Sequence, residues 1–340
     1  MPHRTFFFFM LPSSLAMVLF IFVPIVSVLY QSFWQPLPPI MGEVETCLSL
    51  LLGGCSTEYQ VIEVPDGVEF VGFELYKGRS LLAIEEIKAA WAERMGFFAF
   101  IQDGIFNLPF YKALGFTLFY TLITTPFVIG LGLVVALVLD NIWRPLKGPA
   151  IFASLLPFII TPLIGSLVLF WMTGQGGLLY DFFNWVVFWR DDFSLRASVP
   201  MTWTVIAVYG VWHVTPFAFV VFYAGLQTVS RDQLEAAMID GAPRIDRFRY
   251  VILPHLMPLL TFVLLIHLMD AFRVLEPIFG FNAQANAQSI SSLIYDHLVL
   301  QNPSLYGSAA ATSVLTIIMV GILLTPVLIR TWRDFRIAIR

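Results

Sequence analysis

Six long apolar stretches divide the chain: Phe6–Phe33, Tyr111–Leu139, Ala150–Thr173, Met201–Leu226, Met257–Phe279 and Tyr306–Ile329. Each reaches the roughly 20 residues that a helix needs to cross a bilayer, so the pattern predicts six transmembrane helices. Prolines 12, 24, 126, 157, 162, 216 and 326 lie within them, which is tolerated in lipid where neighbours satisfy the freed carbonyls. The third stretch holds Leu156-Pro157 and Thr161-Pro162-Leu163 and is expected to kink inside the membrane. The fold class is an all-α polytopic membrane protein.

Between the first and second stretches, residues 35–110 are too polar to span. Tyr59–Val64 and Val68–Tyr76 read as strands flanking a Pro65-Asp66-Gly67 turn, a hairpin signal. Leu81–Met95 has helical spacing, with Leu82, Ile84, Ile87 and Trp91 on or near one face. A small α+β insert results, and the chain divides into a first span (1–34), the insert (35–110) and a five-helix core (111–340). In residues 174–200, Phe182, Phe183, Trp185 and Trp189 suggest a helix lying at the membrane surface.

A mean hydropathy of +0.81, with 58% hydrophobic and 12% charged residues, places the chain among membrane proteins. The placement of charge then sets orientation. With the N-terminus inside, the inner side holds Arg4, Arg144, Lys147, Arg231, Arg244, Arg247, Arg249, Arg330, Arg333, Arg336 and Arg340, eleven of the 19 basic residues. Of the acids it holds Asp140, Asp232, Glu235, Asp240, Asp246 and Asp334, six of 23. By the positive-inside rule both termini are cytoplasmic and the 35–110 insert is outside. The first stretch lacks a small-x-small cleavage site near Val28–Trp34 and is read as an uncleaved span.

Cys47 and Cys55, the two cysteines, lie eight apart in the insert. On the oxidising side of a membrane a disulfide is expected, with two free thiols or a two-ligand metal site as the alternatives.

The most charge-dense segment lies between the fourth and fifth stretches. Residues 231–254 carry four arginines, the aspartates 232, 240 and 246, and Glu235. They read as two short helices, the first from about Arg231 to Ile239. It stops at Asp240-Gly241, where glycine takes the left-handed conformation that ends a helix. The second has Pro243 in its first turn and ends near Leu253-Pro254.

Glu235-Ala236-Ala237, Asp240-Gly241-Ala242, Phe248, Ile252, Leu253 and Pro254 resemble, in order and placement, the cytoplasmic coupling loop of permease subunits of binding-protein-dependent ABC importers. The resemblance covers roughly residues 5–35 and 110–335 and extends to carbohydrate-uptake permeases through Ala271–Phe279 and Ser289–Tyr295. It implies a type I importer core in a bacterial or archaeal inner membrane. It also implies a second permease subunit, two ATP-binding cassette subunits inside and a soluble solute-binding protein outside. Glu235 and the small Ala236/Ala237 face would enter a groove on an ATPase subunit, with Gly241 making the bend.

The chain has no Gly-x-x-x-x-Gly-Lys-Ser/Thr phosphate loop, so ATP and Mg belong to the partner ATPases and this chain needs no cofactor. Its histidines are scattered, with no metal spacing and no catalytic set. Nothing calls for nucleic acid. The chain reads as a transport subunit, not an enzyme.

What the spans offer is a polar stripe on each side of the coupling loop. Tyr209, Gly210, His213, Val214 and Phe217 form one, and Val263, His267, Asp270 or Ala271, and Val274 the other, at helical spacing. Ionisable groups at such depth suggest a functional site. The resemblance puts a sugar site about halfway across, at Gly210, Val214, Phe217, His267, Asp270, Ala271 and Val274. The plainer reading is that Asp270 satisfies Arg273 or His267. Where carbohydrate permeases have Gly-Gly-Pro after the fifth span, this chain has Phe281-Asn-Ala-Gln-Ala-Asn-Ala-Gln288. The function implied is import of a sugar, oligosaccharide or polyol-like solute. Import of a non-carbohydrate solute, a secondary transporter without an ATPase, and a membrane enzyme are the alternatives.

Overall fold

In the third apolar stretch a helix breaks in two. Helix α6 (Arg144–Ile159) and helix α7 (Pro162–Thr173) are bent by 90° at Ile160 and Thr161, whose ψ values of 129° and 144° are extended. Proline supplies the reason, because it disfavours the helical conformation in the residue before it and donates no N–H. The carbonyls freed there find partners on helix α9 (Val199–Leu226): Tyr209 Oη donates to Pro162 O and His213 Nε2 to Ile160 O, each at 2.9 Å.

The computed structural model describes residues 3–37, 40–47, 55–63, 65, 67–92, 100–186, 195–301 and 304–338. The remaining apolar stretches are long helices. The first comprises α1 (His3–Met17), a π-helical turn (Val18–Phe22) and α2 (Val23–Gln31). The others are α5 (Pro109–Asn141), α9, α12 (Leu253–Phe272) and α15 (Tyr306–Ala338). Among the described residues five helices are thus long and apolar enough to span, or six if the bent pair is one span. Phe9 at 82% exposed and Trp171 at 71% show how much apolar surface is left for lipid.

The chain forms two compact units. Residues 1–111 and 293–318 make the first. It contains two two-stranded antiparallel sheets, and its pairing differs from the sequence expectation. Strand β3 (Cys55–Glu63) pairs with β2 (Ile40–Cys47), and β4 (Val68–Phe70) with β1 (Trp34–Pro36). The strands flanking Pro65–Gly67 therefore do not form a hairpin with each other. Trp34 meets Phe70 edge-on at 5.4 Å, tying β4 to the end of the first span. The segment expected to continue β4 to Tyr76 instead turns into α3 (Glu74–Lys77), where Tyr76 Oη donates to buried Ser32 Oγ at 2.7 Å. The expected 81–95 helix is α4 (Ile84–Ala92); residues 93–95 lie outside the described residues.

Residues 112–292 and 319–340 make the second unit. Helix α9 runs through it, packed against α6 and α12. Near one end of α9, Phe116, Tyr120, Ile206, Ala271, Ile278 and Phe281 form one buried cluster; near the other, Val128, Ala218, Phe222, Leu226, Leu256 and Val263 form a second. Small residues permit the close approach. A Cβ on Gly132 would lie 2.6 Å from that of Ala218, and one on Gly225 would strike Leu256 and Leu259.

After α13 (Glu276–Gly280) the chain turns at Asn282, φ +52°, in the left-handed region that asparagine tolerates. The Ala283 N–H reaches Ile278 O at 2.9 Å, satisfying carbonyls as glycine would in the same place. Ser289 and Ser292 then cap each other's N–H at the start of α14 (Ile290–Tyr295). The Asn/Gln-rich segment is accordingly an ordered strap: Ala283 and Ala287 are buried and Trp203 Nε1 donates to Asn286 O at 3.0 Å.

Cys47 and Cys55 are opposite partners in the β2–β3 register, and directly opposed residues bring Cα atoms within the range a disulfide spans. Their side chains lie outside the described residues. Alkylation of the unreduced protein should leave both thiols unlabelled and label both after reduction; labelling without reductant would exclude the bridge.

Candidate functional site

The coupling-type segment begins with Ser230 and helix α10 (Arg231–Ile239). Gly241 has φ +76°, its N–H bonds Met238 O at 3.1 Å and that of Ala242 bonds Ala237 O at 2.9 Å. This pair is the Schellman closure that a left-handed glycine provides. The short helix α11 (Arg244–Arg247) follows Pro243, and here the structure departs from expectation. No stop occurs at Leu253-Pro254: a π-helical turn (Phe248–Ile252) carries the chain straight into α12. Pro254 sits in the first turn of that next segment, where a missing N–H breaks no bond.

Glu235, Ala236, Asp240, Gly241 and Pro254 are exposed, and Ala237, Ala242, Phe248 and Leu253 half-buried. Glu235 carries no ion pair among the described residues. Ile239 is 87% exposed and Ile245 77%, on a segment otherwise rich in charge.

On the spans either side of this loop, a cleft of about 690 Å³ opens, within the size range of ligand sites. Nine of the ten residues singled out on the two spans line it: Tyr209, Gly210, His213, Val214, Phe217, His267, Asp270, Ala271 and Val274; Val263 is instead packed into the second buried cluster. Val274 arrives by a different route from the one expected. Helix α12 stops at Phe272 and Arg273 leaves the helical region at φ −106°, ψ 27°, so Val274 enters from the connection to α13, held there by Ser289 Oγ on its carbonyl.

Tyr120, Phe158, Arg273, Glu276 and Ser291 also line the cleft. Only the two charged residues carried a sequence signal. Tyr120 comes into play because its hydroxyl occupies the space a side chain on Gly210 would need. Phe158 does so because the break after Ile159 turns it to stack on Phe217, 6.2 Å between ring centroids.

The polar groups are of two kinds. Tyr209 and His213 are committed to the broken span. His267 is buried and Nε2 lies 3.2 Å from Thr124 Oγ1, whose own proton goes to Tyr120 O at 2.8 Å. Thr124 therefore accepts from His267 Nε2–H, which fixes the tautomer and leaves Nδ1 as a buried acceptor with no partner among the described residues. The other kind is exposed: Arg273 Nη2 donates to Asp270 Oδ1 at 3.2 Å, with side chains 70% and 56% accessible. So Asp270 does meet Arg273, as the plainer reading had it, but at the mouth of the cleft. At 1.5 Å per residue, Asp270 lies about 25 Å along α12 from Leu253, close to the end away from the loop. Its charge avoids the depth at which ionisation is most costly.

Residues 95–338 match the family described as Binding-protein-dependent transport system inner membrane component. The trehalose/maltose transport system permease protein of Thermococcus litoralis is 32% identical over 203 residues, 56% of this chain and 64% of that protein. The trehalose transport system permease protein of Mycobacterium tuberculosis is 33% identical over 193 residues, 55% and 60%. The sn-glycerol-3-phosphate transport system permease protein of Yersinia enterocolitica is 30% identical over 230 residues, 64% and 74%. The matches to the first two thus span less than two thirds of those relatives. A crystal structure titled as a bacterial alginate ABC transporter in complex with alginate pentasaccharide-bound periplasmic protein shares the fold. Its TM-score is 0.55 at 20% identity, covering 72% of this chain and 85% of that one.

Replacing Tyr209 by Phe should remove the bond to Pro162 O and lower thermal stability by about 1–2 kcal/mol, read as the melting shift of purified protein. Gly210→Val should cost more, because the Tyr120 hydroxyl already occupies that space. Unchanged melting of both variants would mean the cleft wall repacks freely.

Proposed function

We propose, from the premise that this chain belongs to the family of binding-protein-dependent transport system inner membrane components, that it is a translocation subunit of an ATP-driven importer of neutral sugars. One observation supports this most. The residues on both spans flanking the exposed 229–255 loop converge on a single cleft that mixes aromatic faces with hydrogen-bonding groups. Aromatic faces suit the C–H surfaces of a sugar ring, and a few placed polar groups fix its hydroxyls. The loop supplies the other half of the reading: a rigid, hairpin-like docking element with an apolar pair and a free carboxylate for a partner arginine.

The distribution of basic residues supports a cytoplasmic loop and cytoplasmic termini, an orientation in which the charged mouth of the cleft faces outward. A binding protein would deliver solute there, a second permease subunit would complete the cavity, and two ATPase subunits would hold ATP and Mg beneath. Closure of the ATPase pair would carry the coupling helices together and open the cavity outward; hydrolysis would reverse it. This chain contributes geometry and selectivity, and no bond-breaking step.

Relatives carry solutes of different charge by name, trehalose and maltose in one case and glycerol 3-phosphate in another. Here the cleft presents two carboxylates, Asp270 and Glu276, against one guanidinium, Arg273. A surplus carboxylate opposes an anionic solute and accepts hydrogen bonds from hydroxyls, which favours the neutral class.

Glu235→Lys should leave the membrane protein folded but abolish solute-stimulated ATP hydrolysis in the reconstituted complex; stimulation at the normal level would remove the loop from its docking role. Asp270→Asn with Glu276→Gln should weaken uptake of a neutral disaccharide at least about tenfold. Uptake unaffected by the double change would place the solute elsewhere.

A further inference from the structure

The neck of the loop is closed by side chains that neither the cleft nor the docking face uses. Helix α9 ends at Leu226, and Thr228 Oγ1, two residues on, donates to Gly225 O at 2.7 Å. The same oxygen lies 2.9 Å from Nε2 of His255, in the first turn of α12. Since the single hydroxyl proton is committed to Gly225, the oxygen accepts and His255 donates. The bond joins the residue before the loop to the residue after it.

A second bond sits beside it. Gln227 Nε2 donates to Asp140 Oδ1 at 2.9 Å, near the end of α5. Lys147, early in α6, lies 3.8 Å from that carboxylate and 5.1 Å from the centre of the Tyr223 ring. Beneath both, Leu256 and Leu259 fill the space beside Gly225, so the α9 and α12 backbones are already close.

We infer that Thr228–His255 is a staple that makes α9 and α12 move as one body when α10 is displaced, while Gln227–Asp140 ties the same end of α9 to α5. This inference rests on the docking role of the loop. Between α9 and α10 the chain has only Gln227–Ser230, which is not helical. A push on α10 would be taken up by opening this neck if nothing held it. An exposed neutral hydrogen bond such as Thr228–His255 contributes little net stability, so the staple adds little to the folded state. Its effect is on which motion is soft: with the neck closed, the compliant path is rotation of both cleft-lining spans together. Thr228 and His255 are thus positioning residues, neither of which lines the cleft.

The test uses the full importer, reconstituted in proteoliposomes with its ATPase and binding-protein partners. Thr228→Val keeps the side-chain volume and removes the acceptor. It should retain the ATPase subunits on purification, cut solute transport about fivefold or more, and raise the ATP hydrolysed per solute imported. Thr228→Ser should restore the ratio. Wild-type stoichiometry in Thr228→Val, or loss of the ATPase subunits from it, would overturn the staple. Should that variant fail to accumulate, Thr228→Cys combined with His255→Cys and bridged by a short bis-maleimide decides: cross-linked, it should import more solute per ATP than untreated, and equal ratios would overturn the inference. Failure of the docking role itself is distinguishable, because Glu235→Lys would then leave stimulated hydrolysis intact.

Discussion

In hydrocarbon, a backbone carbonyl without a partner costs several kcal/mol, and this constraint organises the second unit. Once Pro162 breaks the third span, the carbonyls of Ile160 and Pro162 must be answered from elsewhere. Tyr209 and His213 answer them, one helical turn apart on α9. That fixes which face of α9 meets the break, so Gly210 turns toward Tyr120 and Phe217 toward Phe158. The cleft is the space left over when a bent helix is held by side chains of a straight one. Residues that look like solute ligands on a helical wheel are here the fasteners of the wall.

The loop side obeys a related economy. The hydrogen bonds described at the Gly241 turn are local, made by the loop's own backbone, so α10 is closed off by its own chain while Ile239 and Ile245 stay exposed. The neck is different: there the bonds are long-range, from Thr228 to His255 and from Gln227 to Asp140.

The apolar pattern made the spans legible and the glycine turn the loop, because both are local properties, while the nine cleft residues came from polar stripes at helical spacing and from the family resemblance. What stayed hidden depended on partners distant in sequence. The strands of the insert were recognisable as strands, yet nothing local said that Val68–Phe70 would pair with Trp34–Pro36. Phe158 looked like any other apolar residue until the break at Ile160 turned it. Tyr120 carried no sign separating it from the other aromatics of its helix. Val274 fitted a helical stripe by spacing, but the helix had ended two residues earlier. The Asn/Gln-rich segment read as a polar loop, since the αL conformation of Asn282 and the serine pair at 289 and 292 are invisible to a hydropathy profile.

The π-helical turn at Phe248–Ile252 has a geometric consequence for everything beyond it. Such a turn amounts to one residue inserted into an α-helix, and each residue advances the azimuth by about 100°. The orientation of His267 and Asp270 is therefore set partly by this overwide turn near the start of the span. Were the bulge ironed out, the aspartate and histidine would swing away from Tyr209 by more than a quarter of a revolution while every span kept its length. A single dial at one end of the span thus indexes the face that α12 shows to the cleft.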